Sequence, residues 1–183
     1  MAKKIKGKEW YKIIAPKFFE EKILGETPAD DVKKLISRTI EVPLVLITNN
    51  MNKFYIKVKF KIISVEGNKA YTEFVGLECL RDYISRMIRH GINRIDVVQK
   101  LKTKDEKNVV VKSIIITNRK VNKGVEKEIR KLVIEILKKI VTENKLDDTL
   151  AKILDDSIRN KILKEGSKIY PIRSFDIRKM EVH

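Results

Sequence analysis

Lys53-Phe54-Tyr55-Ile56-Lys57-Val58-Lys59-Phe60-Lys61-Ile62 decides how the fold is read. Phe54, Ile56, Val58, Phe60 and Ile62 alternate with Lys53, Tyr55, Lys57, Lys59 and Lys61, a strict period of two over ten residues. Successive side chains of a strand point to opposite faces, so this period predicts a half-buried strand with its apolar set inward. Glu66-Gly67-Asn68-Lys69 follows, and its Gly-Asn pair suits the positive φ of a tight hairpin. Residues 70–76 are therefore expected to return beside the first strand, giving a hairpin with one lysine-coated face.

Upstream, residues 1–22 hold seven Lys and three Glu and enclose Trp10-Tyr11-Lys12-Ile13-Ile14, a strand-like run ended by Pro16. The reading is a short basic arm, about residues 1–9, leading into a first strand. Trp10 and Pro16 are expected to anchor it by packing on the domain. Between Val32 and Asn50, β-branched runs at Thr39-Ile40-Glu41-Val42 and from Val45 to Thr48 are separated by Pro43. Both are expected to be short strands.

Downstream the period changes. Leu80, Tyr83, Ile84, Met87 and Ile88 follow helical spacing, with Arg81, Asp82, Ser85, Arg86 and Arg89 on the other side and Gly91 as terminator. Residues 94–103 and 108–117 read as a second hairpin around Lys104-Asp105-Glu106-Lys107. From Gly124, the stripe Val125, Ile129, Leu132, Val133, Ile136, Leu137 and Ile140 predicts a long helix. A second helix is expected from the N-cap Asp147 to Gly166, with Leu150, Ile153, Leu154 and Ile158 inward. After Pro171, Ile172 to Val182 read as extended. With no internal repeat or linker, the expectation is one α+β domain over residues 1–183: an antiparallel sheet, a short helix and two longer C-terminal helices.

Charge is the dominant compositional feature: 41 Lys+Arg against 25 Asp+Glu give +16. That excess repels itself and implies a polyanionic partner, nucleic acid or an anionic membrane surface. The longest apolar run, Leu44 to Ile47, is far short of the roughly 18 residues that span a bilayer. The basic N-terminus lacks the apolar region of a secretory signal, so a cytoplasmic location is expected. Cys79 is the single cysteine, which excludes an internal disulfide and fits a buried small hydrophobe.

Catalytic chemistry is thinly provided. His90 and His183 are the two histidines, and His90 stands beside Arg89, where a solvated or phosphate-facing role suits it better than general-base duty. Asp30-Asp31, Asp147-Asp148 and Asp155-Asp156 are adjacent in sequence, and helix neighbours do not face each other. They read as caps and solubilising charges. Seven glycines form no phosphate-binding loop. No cofactor, metal or small-molecule substrate is expected.

Binding chemistry is better provided. Lysines on one strand face recur every 6.6–7 Å or so, close to the phosphate repeat of a nucleic-acid strand. An interleaved Tyr55 could stack on an unpaired base. Arg81, Ser85 and Arg89 at i, i+4 and i+8, with Arg86 nearby, offer planar forks suited to phosphate. The 123–145 segment mixes seven bases with four acids and reads as a solvated face.

Several stretches together resemble the archaeal and eukaryotic small-subunit ribosomal protein family S-three-A-e. They are Trp10-Tyr11 with Ala15-Pro16 and Phe18-Phe19; Arg38-Thr39 with Glu41-Val42; Lys57 with Lys59-Phe60; Gly76 with Glu78; Arg81-Asp82-Tyr83-Ile84 with Arg86; Ile95-Asp96 with Val98; and Ile169-Tyr170-Pro171 with Arg173, Ile177, Arg178 and Lys179. The resemblance runs in order along nearly the whole chain. Departures are Gly76-Leu77-Glu78 for the family's Gly-His-Glu, Arg89-His90-Gly91 for its basic triplet, and Asp105-Glu106 for its Asp-Gly turn.

The resemblance implies a barrel-like α+β fold and a structural, non-enzymatic role in the small ribosomal subunit, on the platform side near the message exit. The implied partners are small-subunit ribosomal RNA and neighbouring ribosomal proteins, with no membrane. The residues expected to meet RNA are Lys3, Lys4, Lys6, Lys8, Lys53, Tyr55, Lys57, Lys59, Lys61, Arg81, Arg86, Arg89, Arg94, Arg178 and Lys179. Two rival classes are an RNA-processing enzyme, which would need carboxylates converging beside the basic faces, and a free-standing RNA-binding regulator, which would not travel with subunits.

Overall fold

A computed structural model describes residues 7–183. Those residues form two compact units, one running to Glu78 and the other from Cys79 to His183. Lys3, Lys4 and Lys6, with most of the expected basic arm, lie outside the described residues.

The first unit is built on strands β1 (Glu9–Ile14), β2 (Ile23–Ala29), β3 (Thr39–Pro43), β4 (Ile56–Glu66) and β5 (Lys69–Cys79, whose last residue opens the second unit). β1 and β2 are antiparallel, with Trp10 opposite Pro28 and a bulge at Ile13/Ile14. β3 and β4 are antiparallel, from Thr39 opposite Lys61 to Pro43 opposite Lys57. β4 and β5 pair across Gly67-Asn68, and Gly67 has the positive φ of 54° that the hairpin reading requires. β1 runs parallel to β5, with Lys12 opposite Lys69. The buried Thr72 hydroxyl fixes that junction by donating to the Ile14 carbonyl at 2.8 Å. The order is therefore β2-β1-β5-β4-β3, and among the described residues nothing pairs β2 with β3, so the order has two ends where a closed barrel has none.

The inward alternation of β4 is as its sequence predicts: Ile56, Val58, Phe60 and Ile62 are buried. Ile62 packs with Tyr11, Ala29, Leu35 and Ala70, and Phe19 meets the Phe60 ring edge-on at 5.4 Å. Two expectations fail nearby. Val45 to Thr48 is not a strand but part of helix α1 (Leu44–Thr48). Burial there follows a turn, with Leu44 and Ile47 inside and Leu46 outside. Asn49 closes it in the left-handed region, donating to Val45 at 2.8 Å, so tertiary burial overrides β-branched propensity. The second failure lies at Lys53 to Tyr55, where the alternation inverts. β2 was not foreseen because Gly25 and Pro28 hide its pattern.

The second unit holds α2 (Arg81–Met87), β6 (Arg94–Lys102), β7 (Asn108–Thr117), α3 (Lys123–Glu143), α4 (Leu146–Leu154), α5 (Ser157–Gly166) and β8 (Ile172–Val182). Its strands are antiparallel in the order β6-β7-β8. Central β7 buries Ile114, Ile115 and Ile116 consecutively, as a strand covered on both faces does. Helix α3 packs on β6, and the buried Gln99 amide donates to the Ile134 carbonyl at 3.0 Å.

The expected second long helix is two helices, Leu146–Leu154 and Ser157–Gly166. Asp156 breaks the chain at a φ of 57°, which realigns Ile158 and Ile162 with the core. Nor is Asp147 the cap. Lys145 holds that position, and the orphan N–H of Leu146 donates to the Asp105 carboxylate of the β6–β7 turn at 3.1 Å. Gly166 does not end α5 by a left-handed turn. A Cβ there would stand 2.3 Å from Ile172 Cδ1, so glycine lets α5 pack closely on β8 without displacing that side chain. Gly91, expected to stop α2, lies beyond its end at Met87 and turns the chain toward β6 with a φ of 81°.

Candidate nucleic-acid interface

The lysine face of β4 is shorter and less free than its sequence suggests. Lys53 ends a 3-10 turn (Met51–Lys53) in which the Asn52 N–H donates to the Asn50 side chain, and the strand begins at Ile56. Upstream of that point the alternation inverts. Lys53 is 5% exposed and Tyr55 6%, whereas Phe54 is 54% exposed. Tyr55, with Phe54 edge-on at 5.8 Å, is therefore not a stacking platform, and Lys53 is not an outward cation.

Lys57, Lys59 and Lys61 do share the outer face. In the β3–β4 register Lys59 stands directly opposite Glu41 and donates to it at 2.9 Å. It also reaches Glu78 at 3.1 Å, and Lys57 lies 4.0 Å from Glu41. These hydrogen bonds, led by Glu41, raise the Lys59 ammonium above its ordinary 10.5. Lys61 is exposed and outside any ion pair among the described residues, as is Lys8 at the mouth of β1.

On α2, Arg81 and Arg86 are exposed and outside any ion pair among the described residues. Arg89, expected on the same helical row, lies past the end of the helix, since Ile88 is already extended. Arg94 opens β6 and forks onto Asp96 at 3.0 Å, two residues along the same strand face. On β8, Arg178 is half-buried and Lys179 donates to Glu181 at 2.7 Å. Lys112 bonds the other oxygen of Glu181 at 3.1 Å. Those two bonds, Lys179 first, hold the Glu181 carboxyl below its ordinary 4.5.

A further set of exposed cations escaped the sequence reading. Arg119 and Lys120 on the β7–α3 connection, then Lys123, Lys127, Arg130 and Lys131 on the first half of α3, are all exposed. None enters an ion pair among the described residues. The connection is held rigidly. Thr117 Oγ1 donates to the Arg119 carbonyl at 2.7 Å and accepts from the Asn93 backbone at 3.1 Å. The Asn93 side chain donates to the Val121 carbonyl at 3.2 Å and to the Glu126 carboxylate. Counting bases against acids over the whole helix hid this asymmetry. The i, i+4 spacing of Lys123, Lys127 and Lys131 would have shown it. A row of exposed cations outside any described ion pair, at the positive end of a 21-residue helix, suits phosphates.

No cluster of His, Cys, Asp or Glu able to hold a metal occurs among the described residues, and no described helix is long and apolar enough to cross a membrane. Over residues 1–183 the sequence matches the Ribosomal S3Ae family. It is 39% identical to the small ribosomal subunit protein eS1 of Methanopyrus kandleri, covering 98% of this chain and 87% of that one. It is 38% identical to the eS1 protein of Saccharolobus islandicus strain L.S.2.15, covering 98% and 86%, and 37% identical to that of Desulfurococcus amylolyticus, covering 98% and 84%. A match along the whole length, at these identities, establishes that the chain belongs to the Ribosomal S3Ae family.

Proposed function

We propose that this chain is a structural constituent of the small ribosomal subunit, working in the cytoplasm, that binds ribosomal RNA by neutralising phosphates and meets neighbouring ribosomal proteins. Membership of a ribosomal protein family makes its role structural rather than enzymatic. The observation that carries RNA binding is the pinned, unpaired cation row from Arg119 to Lys131, in a chain of net charge +16. Lys8, Lys61, Arg81, Arg86 and Arg89 add further uncompensated charge. Lys57, Lys59, Arg94 and Lys179 meet RNA only by sharing or leaving an acid, so they contribute less. The resemblance in sequence supports a place on the platform side, near the message exit.

The test is binding to end-labelled small-subunit ribosomal RNA. The chain should retain it on a filter and leave it uncut, with log affinity falling linearly against log salt. Six phosphate contacts would weaken binding by about a thousandfold between about 50 and 200 mM salt. Cleaved RNA, or affinity indifferent to salt, would refute the proposal.

A further inference from the structure

The polar side of α3 is not uniform around the helix. At about 100° per residue, Arg130, Lys123, Lys127, Lys138 and Lys131 project, in that order, within a sector of about 100°. All five are exposed, and none enters an ion pair among the described residues. The acids of the helix fall outside the sector: Glu126 about 40° before Arg130, Glu135 and Glu128 about 40° and 60° beyond Lys131, and Glu143 further round. What remains is a stripe of bases along the axis from Lys123 to Lys138, about 22 Å long at a rise of about 1.5 Å per residue. No Phe, Tyr, Trp or His occurs from Asn118 to Lys145. Elsewhere in the second unit Phe175 is buried, and Tyr83 and Tyr170 are half-buried.

We infer that this stripe takes the phosphate backbone of double-stranded RNA in preference to an unpaired strand. The inference rests on the proposed RNA-binding role and names the form of RNA that the site selects. Unpaired strands are held where aromatic side chains offer faces on which bases stack, beside a basic groove that tracks the backbone. The stripe offers four ammonium groups and one guanidinium, and no ring. A single strand drawn along a straight helix would lose conformational freedom in aligning its phosphates, with no stacking to offset the loss. In a duplex the phosphates are already held in place, and they are denser. Each contact then releases more counterion, about 0.9 per phosphate in a duplex against about 0.7 in a single strand. A surface that supplies charge alone therefore favours the duplex, which proteins recognise largely by shape and backbone.

The experiment measures filter retention of two RNA probes by the full chain: a blunt duplex, and a strand of the same length made of adenosine and cytidine only, which cannot pair. At moderate salt the duplex should bind more tightly by on the order of tenfold. Combining Lys123→Gln, Lys127→Gln, Lys131→Gln and Lys138→Gln should bring the two probes to within about twofold of each other. Arg at the same four positions keeps the charge and should keep the preference. Lys127→Gln with Lys138→Gln alone, a milder change, should reduce the preference to about threefold. Circular dichroism checks the fold of each variant. Equal or tighter binding of the unpaired strand by the unaltered chain overturns the inference. So does a duplex preference undiminished in the Gln variants, because it would belong to another surface. In both cases RNA binding itself stands. If neither probe is retained even at low salt, the proposed function fails and this inference with it.

Discussion

Lys112 on β7 and Lys179 on β8 stand directly opposite one another in antiparallel register, two like charges held by the backbone at a cross-strand position. Such a pair is unfavourable, and Glu181 relieves it by accepting from both ammonium groups. Replacing Glu181 with Gln should cost about 1 kcal/mol at neutral pH, read from denaturant unfolding at unchanged m-value.

The same site sets an acid limit. Because the Glu181 carboxyl is held below 4.5 in the folded chain, its stabilisation is complete above that pH and is lost as pH falls through the depressed value. Lys59 has the opposite sign. Its ammonium is raised above 10.5 by Glu41 and Glu78, so its contribution is complete below that pH and is lost as pH rises through the raised value. Thermal midpoints against pH should therefore show a shallower acid limb in Glu181→Gln and a shallower alkaline limb in Lys59→Gln. Unchanged limbs would show that neither pair stabilises the fold.

Gly166 offers a test in which two effects compete. Alanine would gain about 0.5–1 kcal/mol in helix propensity, but its Cβ would stand 2.3 Å from Ile172 Cδ1 in a buried contact. Forcing Ile172 aside costs about 1–3 kcal/mol, so Gly166→Ala should be net destabilising by about 1 kcal/mol. A rise in thermal midpoint would show that Ile172 yields freely.

RNA affinity and fold stability should separate between two sets of variants. Neutralising Arg119, Lys123 and Lys127 together should flatten the salt dependence by about one unit for each phosphate left unneutralised, with stability changed by no more than about 0.5 kcal/mol. Phe60→Ala, at a side chain fully buried in the first unit, should cost about 3–5 kcal/mol and leave the slope of the folded fraction unchanged. Equal slopes in wild type and the triple variant would move the RNA-binding surface away from α3.

The parts of this fold that were legible in the sequence are those where one local period runs unbroken. β4 from Ile56, the two hairpins and α3 were each readable from spacing alone, and Gly67 announced its own turn. Where the sequence misled, tertiary contacts made the choice. The alternation from Lys53 to Tyr55 continues that of β4, yet the capped turn inverts it, and nothing local distinguishes the two phases. Thr48 and Asn49 close a helix where β-branched residues suggest a strand. Asp105 caps α4 from forty-one residues away, a partnership no window around Leu146 contains. The cationic surface was legible as a total but not as a distribution. Pairing across strands neutralises Lys59, and it depends on register, whereas the row on α3 was concealed by averaging around the helix.

The most direct test of the central claim is where the chain sediments. Cell extract resolved on a sucrose gradient at low and moderate salt should place the chain with the small subunit at both, in about one copy per subunit. The variant neutralised at Arg119, Lys123 and Lys127 should stay with the subunit at low salt and leave it at moderate salt, where the wild type remains bound. A chain that stays at the top of the gradient at low salt, or one that follows the large subunit, would contradict the account.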